Sequence, residues 1–220
     1  MKLLVCGSFH YYAPWFVTIR HRVREEACDA LVLTGNMLNM LMPLHPKSEQ
    51  VAALKKWIKN MPCVVYYARG WYDPDRLHEW NLPNLRQAGE HIQDGWRIHV
   101  AKSFPPVEDI ERVSAQTIIV SHFPPSLSRC AVGHDGDDLG SLSVRVAIED
   151  AGDCRLVLCG NVVDPLSRVD WAAGAMVINP ALSYHEHRDA PSYALIDTER
   201  RTVNLYDGER VVAHSFERGL

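Results

Sequence analysis

Six short apolar runs, rich in Val, Ile and Leu and each followed by small or polar residues, constrain this chain most. They cover residues 2–6, 30–34, 63–68, 117–121, 155–159 and 175–179. Branched side chains pack well on a pleated sheet, and runs this short fall below ordinary helix length, so they read as buried strands. Between them lie stretches with apolar residues at helical spacing. Residues 14–29 carry Trp15, Ile19 and Val23, with Pro14 placed to start a helix. Residues 48–60 put Val51, Leu54, Trp57 and Ile58 on one face, with Ser48 as its cap. Residues 139–151 offer Leu142, Val146 and Ile148. Such alternation predicts a layered α/β fold. The tail predicts a hairpin, 192–197 with 202–206, turning at Glu199-Arg200-Arg201. Without a repeat, a low-complexity tract or a linker, residues 1–220 read as one domain.

Composition narrows the function classes. A formal net charge of −4 supplies no basic field, which argues against nucleic acid as the partner. The apolar run after Lys2 stops at Cys6, short of a signal-peptide core, and nothing approaches the roughly 18 apolar residues of a membrane span. Six cysteines contain no CxxC pair, and most adjoin apolar runs; buried thiols in a reducing cytoplasm are expected.

The strand ends carry the chemistry. Gly7-Ser8-Phe9-His10 follows the first strand, "LVLTGNMLN" spans the second and "VVYYARGWYD" the third; "IIVSHFPPS", "RLVLCGNVVD" and "MVINPALS" follow. In this order and spacing the series resembles the calcineurin-like metallophosphoesterases, whose pattern is Asp-x-His, Gly-Asp, Gly-Asn-His-Asp/Glu, a lone His before prolines, Gly-His-x-His and Asn-Pro-Gly-Ser. The resemblance covers most of the chain. It implies a four-layer αββα sandwich of two mixed sheets flanked by helices, with a site on loops at one edge. In that family two divalent metals activate a water and clamp the phosphate oxygens.

Carried over, the seven metal-ligand positions are Ser8, His10, Asn36, Trp71, His122, Asn161 and Val163. Only His10 and His122 keep the family's residue type. Both acidic positions are neutral here, Ser8 and Asn36; an indole N–H is a donor only, and valine offers no ligand atom. The family's leaving-group histidine corresponds to Tyr72, while its acidic partner survives as Asp73, beside Pro74 and suited to a structural turn. His10, Asn36, Trp71, Tyr72, Asp73, His122 and Asn161 thus form a vestigial site with no assigned catalytic residue. Trp71 and Tyr72 are expected to fill the space left by metals. The other use is stacking on a nucleobase or a partner's side chain, with Tyr11, Tyr12, Trp15 and Phe123 nearby.

Two further motifs offer metal chemistry. His185 and His187, with Glu186 and Asp189, could make a replacement site, and with His10 and His122 they are the weak metal candidates. Asp135, Asp137 and Asp138 superficially resemble a calcium loop but lack its closing glutamate, and read as a solvated turn. "RHRVREE" reads as a solvated helix face with internal ion pairs. The sequence therefore predicts a non-catalytic member of this fold, acting as a binding or regulatory module with no cofactor. Its expected partner is a protein or a small phosphorylated or nucleotide ligand. The alternative is an active phosphoesterase or phosphodiesterase with a rebuilt or single-metal site using Mn, Zn or Fe.

Overall fold

The computed structural model describes residues 1–39, 45–102, 116–181 and 190–216. In chain order the first half forms β1 (Lys2–Cys6), α1 (Ala13–Glu25), β2 (Ala30–Leu33), α2 (Lys47–Lys59), β3 (Val64–Tyr67), a 3-10 turn (Leu77–Trp80) and β4 (Leu85–Arg86). There follow β5 (Gly89–Gln93), β6 (Trp96–Val100), β7 (Thr117–Val120), α3 (Leu142–Ala151), β8 (Cys154–Leu158), β9 (Val169–Ala172) and β10 (Ala175–Ile178). The chain closes with β11 (Ser192–Asp197), β12 (Thr202–Asp207) and β13 (Arg210–Ser215).

Two mixed sheets result, ordered β13-β12-β11-β1-β2-β3-β4 and β5-β6-β7-β8-β10-β9. Side-chain alternation along β1 explains the layering. Leu3 and Val5 face the second sheet, packing with Ile118, Val120, Leu156 and Met176, while Leu4 and Cys6 pack against Trp15, Ile19, Leu54 and Ile58 of α1 and α2. The far face of the second sheet receives Val144, Ala147 and Ile148 from α3. Strands buried on both faces carry continuous apolar runs, which is why these six were readable.

Pro14 stands at the start of α1, and the expected ion pairs form, His21 to Glu25 at 2.9 Å and Arg22 to Glu25 at 2.9 Å. This helix ends at Glu25 rather than 29, because Ala27 turns into the left-handed region with φ of 50°. Three local expectations need correction. Ser48 does not cap α2, which begins at Lys47 after Pro46 without a side-chain cap. Ser141 caps α3, its Oγ accepting the Val144 N–H, so that helix starts at Leu142 and not at 139. Leu142 and Val146 point to solvent while Val144, Ala147 and Ile148 are buried. The hairpin of β11 and β12 is present and continues into β13. No helix among the described residues is long and apolar enough to cross a membrane. All six thiols are free and five are buried; burial pushes Cys63 up to about 11 and Cys28, Cys130 and Cys154 to about 12, so these four resist ionising to nucleophilic thiolates.

Candidate functional site

Where β1, β2, β3, β7 and β8 end, their loops converge. Ser8 N–H donates to Gly35 O at 2.8 Å, His10 N–H to Asn36 O at 3.0 Å, and Gly160 N–H to His122 O at 3.0 Å. Convergence this close requires glycine. A Cβ on Gly35, whose φ is 91°, would lie 2.6 Å from both Gly70 N and His122 Nδ1. One on Gly70 would lie 2.5 Å from Asn36 Oδ1 and 2.9 Å from His122 Cε1. Ser8, His10, Asn36 and Asn161 all adopt positive φ, between 46° and 62°. Asparagine tolerates that conformation; serine and histidine hold it here because the loop bonds impose it.

Two side chains lock the loops. Asp73 is buried and accepts four backbone N–H bonds. Oδ2 takes those of Asn36 and Gly70 at 2.8 Å each, and Oδ1 takes those of Met37 at 2.8 Å and Leu38 at 3.4 Å. Four donors occupy the roughly four lone-pair sites of a carboxylate. Burial, with that carboxylate alongside, holds the Tyr67 phenol well above its usual range. On the other side, Asn179 donates its amide to Cys130 O, Gly160 O and Val162 O, and its Oδ1 accepts the Ala181 N–H.

Between these anchors opens a cleft of about 430 Å³ lined by His10, Asn36, Trp71, Tyr72, Asn161 and Val163. Five of the seven positions read from the sequence therefore share one cleft wall, and the other two, Ser8 and His122, lie buried at the same loops. The His122 Nδ1 sits 2.6 Å from Thr34 O. A carbonyl only accepts, so Nδ1 carries the proton and donates. Nε2 is left as a bare lone pair, buried and without a partner among the described residues. Burial pulls this imidazole's pKa down, outweighing the opposing pull of the Thr34 carbonyl and the Asp73 carboxylate, so the ring stays neutral. Ser8 Oγ is likewise buried and unpaired among the described residues. The Asn36 Oδ1 accepts the Tyr72 N–H at 3.3 Å.

Trp71 does not fill the site. It is 54% exposed at the rim, edge-on to Phe123 with ring centroids 5.8 Å apart, and the cleft beside it stays open. Tyr72 packs on His10, centroids 5.7 Å apart. Trp15, expected near the site, is buried against Phe9, and Tyr11 packs on Phe16 and His45. Asp138 ties its own turn together, accepting the Leu127 and Gly140 N–H groups at 2.9 Å each. His185, His187, Glu186 and Asp189 lie outside the described residues. Sequence reasoning overlooked Thr34, which fixes the His122 tautomer; its place directly before Gly35-Asn36 was the available signal.

The donor set does not suit a pair of divalent ions. At the seven positions stand two imidazoles, two amides, a hydroxyl, an indole and an isopropyl group, and the adjacent carboxylate is consumed by backbone N–H bonds. Among the described residues no group of three or more His, Cys, Asp or Glu is gathered to hold a metal.

No family model matches this chain, and no curated protein does. Solved structures match it nearly end to end. A dimetal phosphatase from Danio rerio aligns with a TM-score of 0.67 at 10% identity, over 99% of each chain. A novel archaeal phosphodiesterase aligns at 0.58 with 16% identity, over 96% of this chain and 100% of that one. A protein of Thermus thermophilus, TT1561, aligns at 0.58 with 15% identity, over 98% of this chain and 99% of that one. Identities this low speak to architecture alone, and the architecture agrees with what the strand-end motifs predict: the chain has the fold of the calcineurin-like metallophosphoesterases.

Proposed function

We propose that this protein is a non-catalytic member of its fold, a single-domain binding or regulatory module of the cytoplasm. One observation carries the reading. Five of the seven metal-ligand positions line one cleft, none of the seven is a carboxylate, and the nearby Asp73 spends its lone pairs on the loops. A water held there would find neither a donor set suited to a dication that could lower its pKa nor a free carboxylate to take its proton. The free thiols support a reducing compartment. The open cleft suits a small ligand, the phosphorylated or nucleotide class or a partner's side chain.

A second reading, an active phosphoesterase or phosphodiesterase with a rebuilt or single-metal site, draws on His122 Nε2, a lone pair of the kind metals take and without a partner among the described residues. Elemental analysis after dialysis separates the two, together with assays on generic phosphodiesters and phosphomonoesters in added manganese. The proposal expects less than stoichiometric metal and negligible turnover. One or more tightly held equivalents of Mn, Zn or Fe, with turnover abolished by His10→Ala or His122→Ala, would overturn it.

A further inference from the structure

We infer that copies of this chain associate head to tail, Leu127 on the α3 side of one copy seating in the groove between α1 and α2 of the next. Neither surface lines the cleft, so the association is independent of what the cleft holds.

The receiving surface is a groove of about 180 Å³ lined by Tyr11, Ala13, Phe16, Ala53, Leu54 and Trp57. Phe16 and Trp57 lie buried with ring centroids 4.9 Å apart, while Ala13 and Ala53 are exposed and too small to close the space above them. Tyr12 and Val17 are exposed alongside. Such a groove suits one apolar side chain and not a whole helix. Its surroundings are basic: α1 and α2 hold seven Lys and Arg against two Glu, in a chain whose net charge is −4. Of the two, Glu25 is engaged by His21 and Arg22 of its own helix. Lys56 stands one turn beyond Ala53, and Arg20 one turn beyond Val17.

The opposite outer face carries the complement. There α3 covers the far side of the second sheet, and Leu127, Leu139, Leu142 and Val146 are all exposed. Hydrogen bonds gather them into one unit. Ser126 N–H donates to Ser141 O at 3.1 Å, Leu139 N–H to Ala131 O at 2.9 Å and Leu127 N–H to Asp138 Oδ2 at 2.9 Å. Leu142 and Val146 follow one turn apart on α3. Single exposed apolar residues need no explanation, but four tied side by side mark an interaction surface. Residues 127–150 hold five carboxylates against two arginines, and Arg145 already pairs with Glu149 at 2.8 Å.

Leu127 is the knob of this surface. It is 80% exposed, and its φ of 64° is one that a bulky residue rarely adopts. The Asp138 bond and that of Ser128 Oγ to Pro125 O hold the turn in place, so the strain is spent on keeping a leucine in water. Burial in the groove of another copy removes that exposure, and the acidic rim meets the basic one. Because the two surfaces lie on opposite faces, they cannot meet in a twofold pair, where both copies present the same patch. They join heterologously, and the row of copies stays open.

Sedimentation equilibrium of the full chain tests this. The weight-average mass is expected to rise with concentration past that of a dimer, without a plateau. Raising the ionic strength from about 0.01 M to about 0.1 M, which shortens the Debye length from about 30 Å to about 10 Å, should weaken the association several-fold. Leu127→Asn and Ala53→Gln leave the charge unchanged at exposed positions, and each should weaken it about tenfold with little change in the urea midpoint. Mixed, the two variants should form a one-to-one pair and stop there, since one keeps the groove and the other keeps the leucine. A wild-type chain that stays monomeric at low salt, or a dimer that grows no further, would overturn the inference. So would an association that neither variant weakens, or a mixture no heavier than the variants alone.

Discussion

Behind the cleft, Asp73 accepts four backbone N–H bonds from two loops and Asn179 gives its amide to three carbonyls. At the loops around the cleft, His122 Nε2 and the Ser8 hydroxyl are buried without a partner among the described residues, and Trp71 keeps its indole more than half in solvent at the rim. Asp73 and Asn179 thus fill their own hydrogen-bonding capacity, whereas Ser8 Oγ and His122 Nε2 do not among the described residues. A frame of that kind holds its shape whatever residues face the cleft, which explains how five of the seven positions share one wall with no carboxylate among them. It also separates what each part stabilises: the frame is expected to govern folding, the lining to govern binding.

The sharpest way to break that contrast is at Asp73. Asp73→Ala leaves four buried N–H groups without an acceptor, and each such orphan costs about 1–3 kcal/mol, less where water enters. We expect a loss of about 3–5 kcal/mol in urea unfolding, large enough to unfold a marginal protein. Asp73→Asn should cost less but remain severe, since its NH2 confronts donors. A loss below about 1 kcal/mol from Asp73→Ala would mean the loops hold without it, and the distinction between frame and lining would collapse.

His122 sits on the boundary between the two, and pH probes it. Its folded pKa lies below the usual histidine value of about 6.5, chiefly through burial, with the Thr34 carbonyl and the Asp73 carboxylate pulling the other way. Below about pH 6.5 the unfolded chain takes up a proton that the folded protein resists, so the unfolded state binds more protons and stability falls as pH falls. The contribution is present above that value and is lost on descending toward the folded pKa. Urea unfolding between about pH 7.5 and pH 5.5 should show this slope, and His122→Gln should flatten it. An equal slope in the variant would place the proton uptake elsewhere.

Much of the frame was legible because its signals are local. Strand β1 places Leu3 and Val5 on one face and Leu4 and Cys6 on the other, and both faces are covered, so the run is apolar throughout. The strands that escaped reading lack that signal. β5 reads Gly-Glu-His-Ile-Gln at a sheet edge, and β6 carries Arg97 and His99, which are buried nevertheless. In both, the neighbouring strand decides the conformation and propensity does not. At the site, the order of strand-end motifs pointed to Ser8, His10, Asn36, Trp71, His122, Asn161 and Val163, five of which line one cleft. What Asp73 does was hidden, because its partners at 36–38 reach it only through the close approach of Gly35 and Gly70. The same is true of Trp71: its sequence position could not say that the loop turns its indole outward.

That outward indole gives the smallest expected effect and a clean internal control. Trp57 is buried under α1, its Nε1–H donating to Phe16 O at 2.8 Å and its ring edge-on to Phe16 at 4.9 Å. Trp57→Ala removes a packed aromatic and its indole bond to a helical carbonyl, so a loss of about 3–5 kcal/mol is expected. Trp71→Ala removes a ring that already keeps 54% of its surface in water and whose described ring contact is the edge-on pair with Phe123. Such a pair is worth about 0.5–1.5 kcal/mol beyond its area, and partial burial adds little, so the loss should stay near 1 kcal/mol. Paired urea melts of the two variants measure the difference directly. Should Trp71→Ala cost as much as Trp57→Ala, the indole would belong to the frame after all, filling the space that metals take in related folds, and the cleft would have no room to receive a ligand.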